Sequence, residues 1–101
     1  MTAFRLTALA EADLAEILDY IAQTSSPTRA EGVYLDLLQA ARLLAEQPRM
    51  GHPRSDLTPR AVLFWPVHTF LLVYRPDTRP LEIVRVVSGW RDVPRLLRDE
   101  D

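Results

Sequence analysis

Residues 81–88 read LEIVRVVS, and this run of mostly apolar, β-branched residues decides the class of fold. Bounded by proline on one side and glycine on the other, it is typical of a buried strand. Two similar runs precede it, at residues 61–65 and 70–75, and turn-forming residues at 66–69 and 76–80 separate the three. The sequence therefore predicts an antiparallel meander of three strands.

The chain before these strands has the period of helices. Thr7 is a candidate N-cap, and one helical stripe follows it, made of Ala10, Leu14, Ile17, Leu18 and Ile21. Ser26 and Pro27 suit the N-cap and first position of a second helix, which ends before Pro48. Its stripe consists of Ala30, Val33, Tyr34, Leu37, Leu38, Ala41 and Leu44. Because only a few residues join them, the two helices should pack as an antiparallel hairpin.

Two shorter elements complete the predicted order. Residues 4–6 alternate as in a short strand, and residues 92–97 predict a short C-terminal helix. We expect an α+β fold of order β-α-α-β-β-β, with the helical hairpin packed on a small antiparallel sheet. At 101 residues, the chain from 1 to 101 is expected to form one domain.

Composition excludes several classes of function. The absence of cysteine rules out disulfides, thiolate nucleophiles and cysteine-ligated zinc. No apolar stretch reaches membrane-spanning length and no signal pattern opens the chain, so we expect a cytoplasmic protein without a membrane partner. His52 and His68 have no ligand spacing and are expected at the surface. No metal and no cofactor is predicted.

Charge is unevenly distributed along the chain. All 12 basic residues are arginine. Residues 1–48 sum to −4, residues 49–98 to +5, and the last three residues to −3, which gives the total of −2. The near-neutral total therefore conceals a basic second half, and the field near a surface follows its local charge.

Both faces of the predicted sheet carry apolar residues. In the last strand, Ile83 and Val87 are expected to share a face with Arg85, while Val84 and Val86 occupy the other. One helical hairpin covers only one face, so the other is expected to stay exposed for a partner, either another polypeptide or a second copy. The alternative is that the long loop and the C-terminal helix fold over it.

Arginines are the remaining candidates for a functional site, namely Arg54 in the loop, Arg60 before the second predicted strand, and Arg85 within the last strand. A charge inside an aliphatic strand is costly unless it is paired or faces a cleft. Arg85 is therefore either half of a structural salt bridge, to Asp56 or Asp92, or a cleft residue that holds a phosphate or a partner's carboxylate.

The chain resembles the RelE/ParE toxin superfamily of bacterial toxin–antitoxin systems, and its ParE (plasmid stabilisation) branch in particular. The resemblance spans residues 4–97 and is most specific at residues 83–92, IVRVVSGWRD. Its other parts, each weak alone but in the right order, are Leu6-Thr7, Ala10, Asp13-Leu14, Ile17, Tyr20-Ile21, Pro48, Gly51, residues 54–57 (RSDL) and residues 73–75 (VYR).

This resemblance implies a growth-arresting toxin of a type II toxin–antitoxin system. A cognate antitoxin would neutralise it by folding a disordered C-terminal segment onto it. The expected assembly is a toxin homodimer or a toxin–antitoxin heterotetramer. ParE-like members inhibit DNA gyrase, whereas RelE-like members cleave messenger RNA in the ribosome. Neither activity implies a cofactor or a small-molecule substrate.

The residues after the last strand favour the gyrase inhibitor. RNA cleavage needs groups that move protons and others that stabilise charge on the phosphate. Arg54, Arg60 and Arg85 could stabilise charge, but Trp90 cannot transfer a proton near neutral pH, and arginine is a poor base. We therefore assign no catalytic residue, and keep the endoribonuclease and a non-toxic, antitoxin-binding operon co-regulator as alternatives.

A partner-binding surface is expected instead of an active site. Its predicted residues are Arg54, Arg60, Ile83, Arg85, Val87, Trp90 and Arg91.

Overall fold

The computed structural model describes residues 3–88. Its elements are β1 (Phe4–Leu6), α1 (Ala8–Thr24), α2 (Pro27–Glu46), β2 (Leu63–Val67), β3 (Phe70–Arg75) and β4 (Leu81–Ser88). A single 3-10 turn, Pro48–Met50, follows α2. The predicted α+β class and element order are confirmed, while the short helix expected at residues 92–97 lies outside the described residues.

The strands form one sheet in the order β1-β4-β3-β2. β2, β3 and β4 are the predicted antiparallel meander. β1 instead pairs with β4 in parallel, so the expectation of a wholly antiparallel sheet is corrected to a mixed one. Parallel neighbours need a long crossover, and the helical hairpin supplies part of it.

Side-chain caps start both helices where the sequence predicts them. The Thr7 hydroxyl accepts the N–H of Ala10 at 3.2 Å and the Ser26 hydroxyl accepts the N–H of Arg29 at 3.0 Å. Pro27 occupies the first position of α2, where its missing N–H has no cost. Thr7 also donates to the Val84 carbonyl at 2.9 Å, so the residue that caps α1 ties that helix to the sheet.

The helical hairpin packs on one face of the sheet. The main core lies between them and consists of Ala10, Leu14, Val33, Leu37, Ala41, Leu44, Leu72, Tyr74, Leu81, Ile83 and Val86. The helical residues of this set belong to the two stripes in the sequence, as predicted. We call this side of the sheet the helix face.

The opposite side, the far face, is also buried. Its apolar residues form a second cluster in which no member is more than 4% exposed: Val62, Phe64, Leu71, Val73, Val84 and Val87. The expectation of an exposed apolar sheet face is therefore wrong. Part of the reason is the long loop after α2, which brings Val62 into the cluster and packs Leu57 against it.

A bulge in β4 also changes which residues share a face. Val73 pairs with Arg85, whereas the next residue of β3 pairs with Ile83, so Val84 is the extra residue. Ile83 and Val86 lie on the helix face, and Val84 and Val87 on the far face. The expectation that Ile83 and Val87 share a face is wrong, because strict alternation does not hold across a bulge.

Large apolar side chains that remain exposed in residues 3–88 lie on the helices instead: Leu9, Tyr20, Tyr34, Leu35 and Leu43. Neither α1 nor α2 combines the length and the apolar character that crossing a bilayer would require.

Candidate functional site

Arg85 is held in a two-pronged ion pair with Asp13 of α1. It donates from Nε to Oδ2 of Asp13 at 2.7 Å and from Nη2 to Oδ1 at 2.8 Å. The two side chains are only 8% and 16% exposed. Of the two alternatives for Arg85, the structure gives the salt bridge.

The partner differs from the two that the sequence suggested. Asp56 is bonded to Arg54, and Asp92 lies outside the described residues. Asp13 lies on a helix with several exposed acidic residues, but its own carboxylate points at β4. A usable signal was present: Asp13 follows Ala10 by three residues and so lies beside the buried stripe of α1.

Sheet topology explains why Asp13 can reach β4. β1 pairs with β4 only as far as Ile83, and the chain then turns into α1 as the N–H of Thr7 donates to the Ile83 carbonyl at 3.0 Å. Beyond that point the N–H of Val86 donates to Oδ2 of Asp13 at 3.0 Å. Asp13 thus accepts the hydrogen bond of the Val86 N–H, which a longer β1 would otherwise have accepted. The same carboxylate also neutralises the charge of Arg85.

Arg54 lies in the long loop and pairs with Asp56. Its Nε and Nη2 donate to the two oxygens of that carboxylate at 2.9 and 2.7 Å. The hydrogen bond from Arg54 lowers the pKa of Asp56 below its usual value, and the same bond raises the pKa of Arg54. Both members of the pair stay charged at neutral pH, so together they add no net charge to the loop.

Three charged residues stand side by side at one end of the far face. Glu82 of β4 accepts hydrogen bonds from Arg5 of β1 and from Arg75 of β3, which are its register partners on the neighbouring strands. Burial alone would raise the pKa of Glu82, but the hydrogen bonds from Arg75 and Arg5 outweigh it and lower the pKa. This triplet was not found from the sequence, because only the register brings its members together.

Further arginines adjoin this triplet. Arg60 lines an open depression of about 410 Å³ together with Arg75 and the turn that follows β3. Arg49, which follows α2, contacts Asp77 of that turn at 2.6 Å. Arg79 of the same turn donates to the carbonyls of residues 76 and 78. We call this set the strand-end cluster; it consists of Arg5, Arg49, Arg60, Arg75, Asp77, Arg79 and Glu82.

Tyr74 anchors the start of the long loop from within the core. Its hydroxyl donates to the Pro48 carbonyl at 2.7 Å and accepts the N–H of Gly51 at 2.9 Å. Burial raises the pKa of Tyr74. A Cβ at position 51 would lie 2.4 Å from the hydroxyl oxygen, so this close approach requires glycine.

Both histidines are at the surface, as expected. His68, in the β2–β3 turn, contacts Asp36 of α2 at 2.7 Å between Nε2 and Oδ2. The ring of His52 stacks on Trp65 with centroids 6.5 Å apart. Within residues 3–88, no three histidine, aspartate or glutamate side chains converge as a metal site would require.

The predicted partner-binding residues are dispersed in the structure. Arg85 faces α1, Arg60 belongs to the strand-end cluster, and Arg54 lies in the loop. Ile83 and Val87 are buried on opposite faces of the sheet, and the remaining two, Trp90 and Arg91, lie outside the described residues. Their role in binding a partner stays a prediction.

Comparison with known proteins identifies the family. The family model described as the ParE toxin of the type II toxin–antitoxin system parDE matches residues 4–93. The chain therefore belongs to the ParE toxin family, and is a ParE-type toxin of a type II toxin–antitoxin system.

A solved structure shares the fold. It is described as the chromosomal ParDE toxin–antitoxin system from P. aeruginosa and superposes with a TM-score of 0.73 at 22% identity, covering 88% of this chain and 97% of the other. At this identity the likeness concerns the fold alone. No curated protein sequence matches the chain.

Proposed function

We propose that this toxin arrests growth by inhibiting DNA gyrase in the cytoplasm and that a cognate antitoxin neutralises it. Membership of the ParE family supports this proposal, since its model covers residues 4–93. The observation that carries the choice of mechanism is the ion pair between Arg85 and Asp13.

That ion pair disfavours ribonuclease chemistry. The endoribonuclease alternative would use Arg54, Arg60 and Arg85 around bound RNA. Arg85 faces α1 and is almost fully buried, whereas Arg60 lines a depression with Arg75, which points from the far face. Placing Arg85 on RNA would break two charge-assisted hydrogen bonds and leave Asp13 without them.

Tyr74 does not supply the missing proton transfer. Its side chain is fully buried, and its hydroxyl is occupied by Pro48 and Gly51. A pKa raised by burial makes the hydroxyl a weaker acid, which is less able to provide the phenolate that a base would require. This supports an inhibitor that acts by binding rather than by catalysis.

The antitoxin is proposed to contact the exposed apolar side chains of the helices, such as Tyr20 and Leu35, rather than the sheet. These groups present the apolar surface that a segment folding on binding can bury, whereas the far face is already covered. The resulting complex would be a toxin–antitoxin heterotetramer or contain a toxin homodimer.

A gyrase supercoiling assay with the purified chain tests the proposal. We expect an excess of toxin to stop ATP-dependent supercoiling of relaxed plasmid, and the co-purified antitoxin to restore it. Relaxation by a type I topoisomerase serves as the control and should continue. Undiminished supercoiling would overturn the proposal. In that case, cut transcripts in a translation extract would favour the endoribonuclease. A chain that neither stops supercoiling nor cuts transcripts would favour the co-regulator.

A further inference from the structure

α2 carries a second stripe of residues on a face that the core does not use. Glu31, Leu35, Leu38 and Arg42 follow one another at intervals of four, three and four residues, which places them in one line along the helix. This line lies about a third of a turn around the helix axis from the buried residues of α2. We call these four residues the outer stripe.

The outer stripe is accessible and makes no polar contact within residues 3–88. Leu35 is 54% exposed, and Glu31 and Arg42 are exposed as well. Leu38 is half-buried, but it belongs neither to the main core nor to the apolar residues packed against it. Among the described residues, neither the carboxylate of Glu31 nor the guanidinium of Arg42 has a hydrogen bond or an ion pair. Both charges are therefore available to a partner.

The order of the four residues makes the outer stripe complementary to itself. Glu31 and Arg42 lie equally far from its midpoint, and so do Leu35 and Leu38. A two-fold axis through that midpoint reverses the helix direction, which brings Glu31 of one copy to Arg42 of the other and Leu35 to Leu38. Each contact then occurs twice, as in an isologous interface. Intervals of four and three residues are also those of a coiled-coil seam.

We propose that the free toxin forms a two-fold symmetric homodimer through the outer stripes of two antiparallel α2 helices. The leucines would form the apolar centre of the interface, and the Glu31–Arg42 pairs would flank it and fix its register. A second copy is favoured over another partner because the complementary pattern belongs to this chain itself. The contact is small, so the dimer should be weak and form at micromolar concentrations.

This inference goes beyond the proposed function, because it concerns the toxin without gyrase and without antitoxin. Leu35 also belongs to the surface proposed for the antitoxin, so an antitoxin bound there would separate the two copies, a consequence that rests on the proposed function. Dimerisation is measured on the toxin alone. Its failure is therefore distinguishable from a failure of gyrase inhibition, which the supercoiling assay reports.

Sedimentation equilibrium of the full chain, at concentrations from about 1 to 200 µM, tests the proposal. We expect the wild type to change from monomer to dimer over this range. Glu31→Arg and Arg42→Glu should each weaken the dimer about 10- to 30-fold, because each places two like-charged pairs across the two-fold axis. An equimolar mixture of the two variants should restore dimerisation, since both pairs in the mixed dimer again have opposite charges.

Glu16→Arg is the matched control, because it makes the same change of charge at an exposed position on α1. It should leave the dimer unchanged. Restoration on mixing also separates electrostatics from misfolding, since one misfolded variant does not repair another. Thermal melting of every variant checks that the fold is retained.

Three results would overturn the proposal. They are a wild type that stays monomeric at the highest concentration, a dimer that Glu31→Arg weakens no more than Glu16→Arg does, and a mixture of the two reversed variants that does not associate. A monomeric wild type whose antitoxin binds less tightly after Glu31→Arg would identify the antitoxin as the occupant of the outer stripe.

Discussion

At the scale of single residues, Asp13 explains how a charge is accommodated inside an aliphatic strand. Its two oxygens accept two hydrogen bonds from Arg85 and one from the N–H of Val86. The sequence raised the need for a partner but could not choose it, because the pair spans 72 positions and depends on tertiary packing. The chemistry of Arg85 was predictable from its neighbours in the chain, while the identity of Asp13 was not.

Removing either member of this pair should destabilise the fold. We expect Asp13→Ala and Arg85→Ala each to lower the free energy of unfolding by about 3 kcal/mol, since each leaves a buried charge without its partner. The double variant Asp13→Leu/Arg85→Met should lose less than the sum of the two, because no charge is then stranded. Urea unfolding measures all three.

Glu16→Ala is the matched control, as Glu16 is an exposed carboxylate on the same helix. It should change stability by no more than about 0.5 kcal/mol. If Arg85→Ala behaved like this control while abolishing toxicity, Arg85 would be a binding residue and the structural role would be refuted.

At the scale of elements, Glu82 links three strands at one end of the far face. Its carboxylate is mostly buried and binds Arg5 and Arg75 from both sides. The pKa of Glu82 is lower in the folded protein than its ordinary value, so the folded state stabilises the ionised carboxylate. The strands are therefore joined by a contact that depends on pH.

Glu82→Gln should remove a stabilisation that is present near neutral pH and absent in acid. For a lowered pKa, the contribution is complete above the unfolded value and disappears as pH falls through the folded value. The unfolding midpoints of the wild type and Glu82→Gln in urea should therefore differ most near pH 7 and converge below about pH 4. A difference that stays constant over this range would show that the contact is not ionic.

Local signals were readable from the sequence and long-range ones were not. Thr7 and Ser26 were identified as caps because a cap depends on residues within one turn. The parallel pairing of β1 could not be derived, because a three-residue strand carries no signal of its neighbour. The bulge at Val84 was equally hidden, since its cause is a register with β3 rather than a residue type.

At the scale of the whole molecule, the sheet separates two hydrophobic cores. The larger lies under the helices and the smaller under the long loop, which contributes Leu57 and Val62. The apolar character of both faces was evident from the alternation in β3, but the loop's path was not, because loops carry no periodicity. The far face is thus buried within the toxin itself, and this burial stabilises the toxin without a partner.

Leu71 and Leu72 provide a matched pair that tests this. They are neighbours in β3, are 1% and 2% exposed, and lie on the far face and the helix face respectively. We expect Leu71→Ala and Leu72→Ala each to cost about 2–5 kcal/mol, measured by urea unfolding of the isolated toxin. A cost for Leu71→Ala below about 1 kcal/mol, with Leu72→Ala in that range, would show that the far face is open.

The pairing of β1 with β4 has a consequence for how the toxin is made. Arg5 and Glu82 are 77 positions apart, so the first strand has no neighbour until nearly the whole described chain has left the ribosome. At about 5–20 residues per second, that delay is roughly 4–15 seconds. A nascent chain thus cannot close its sheet until synthesis nears completion, and the fold is finished only after the last strand emerges.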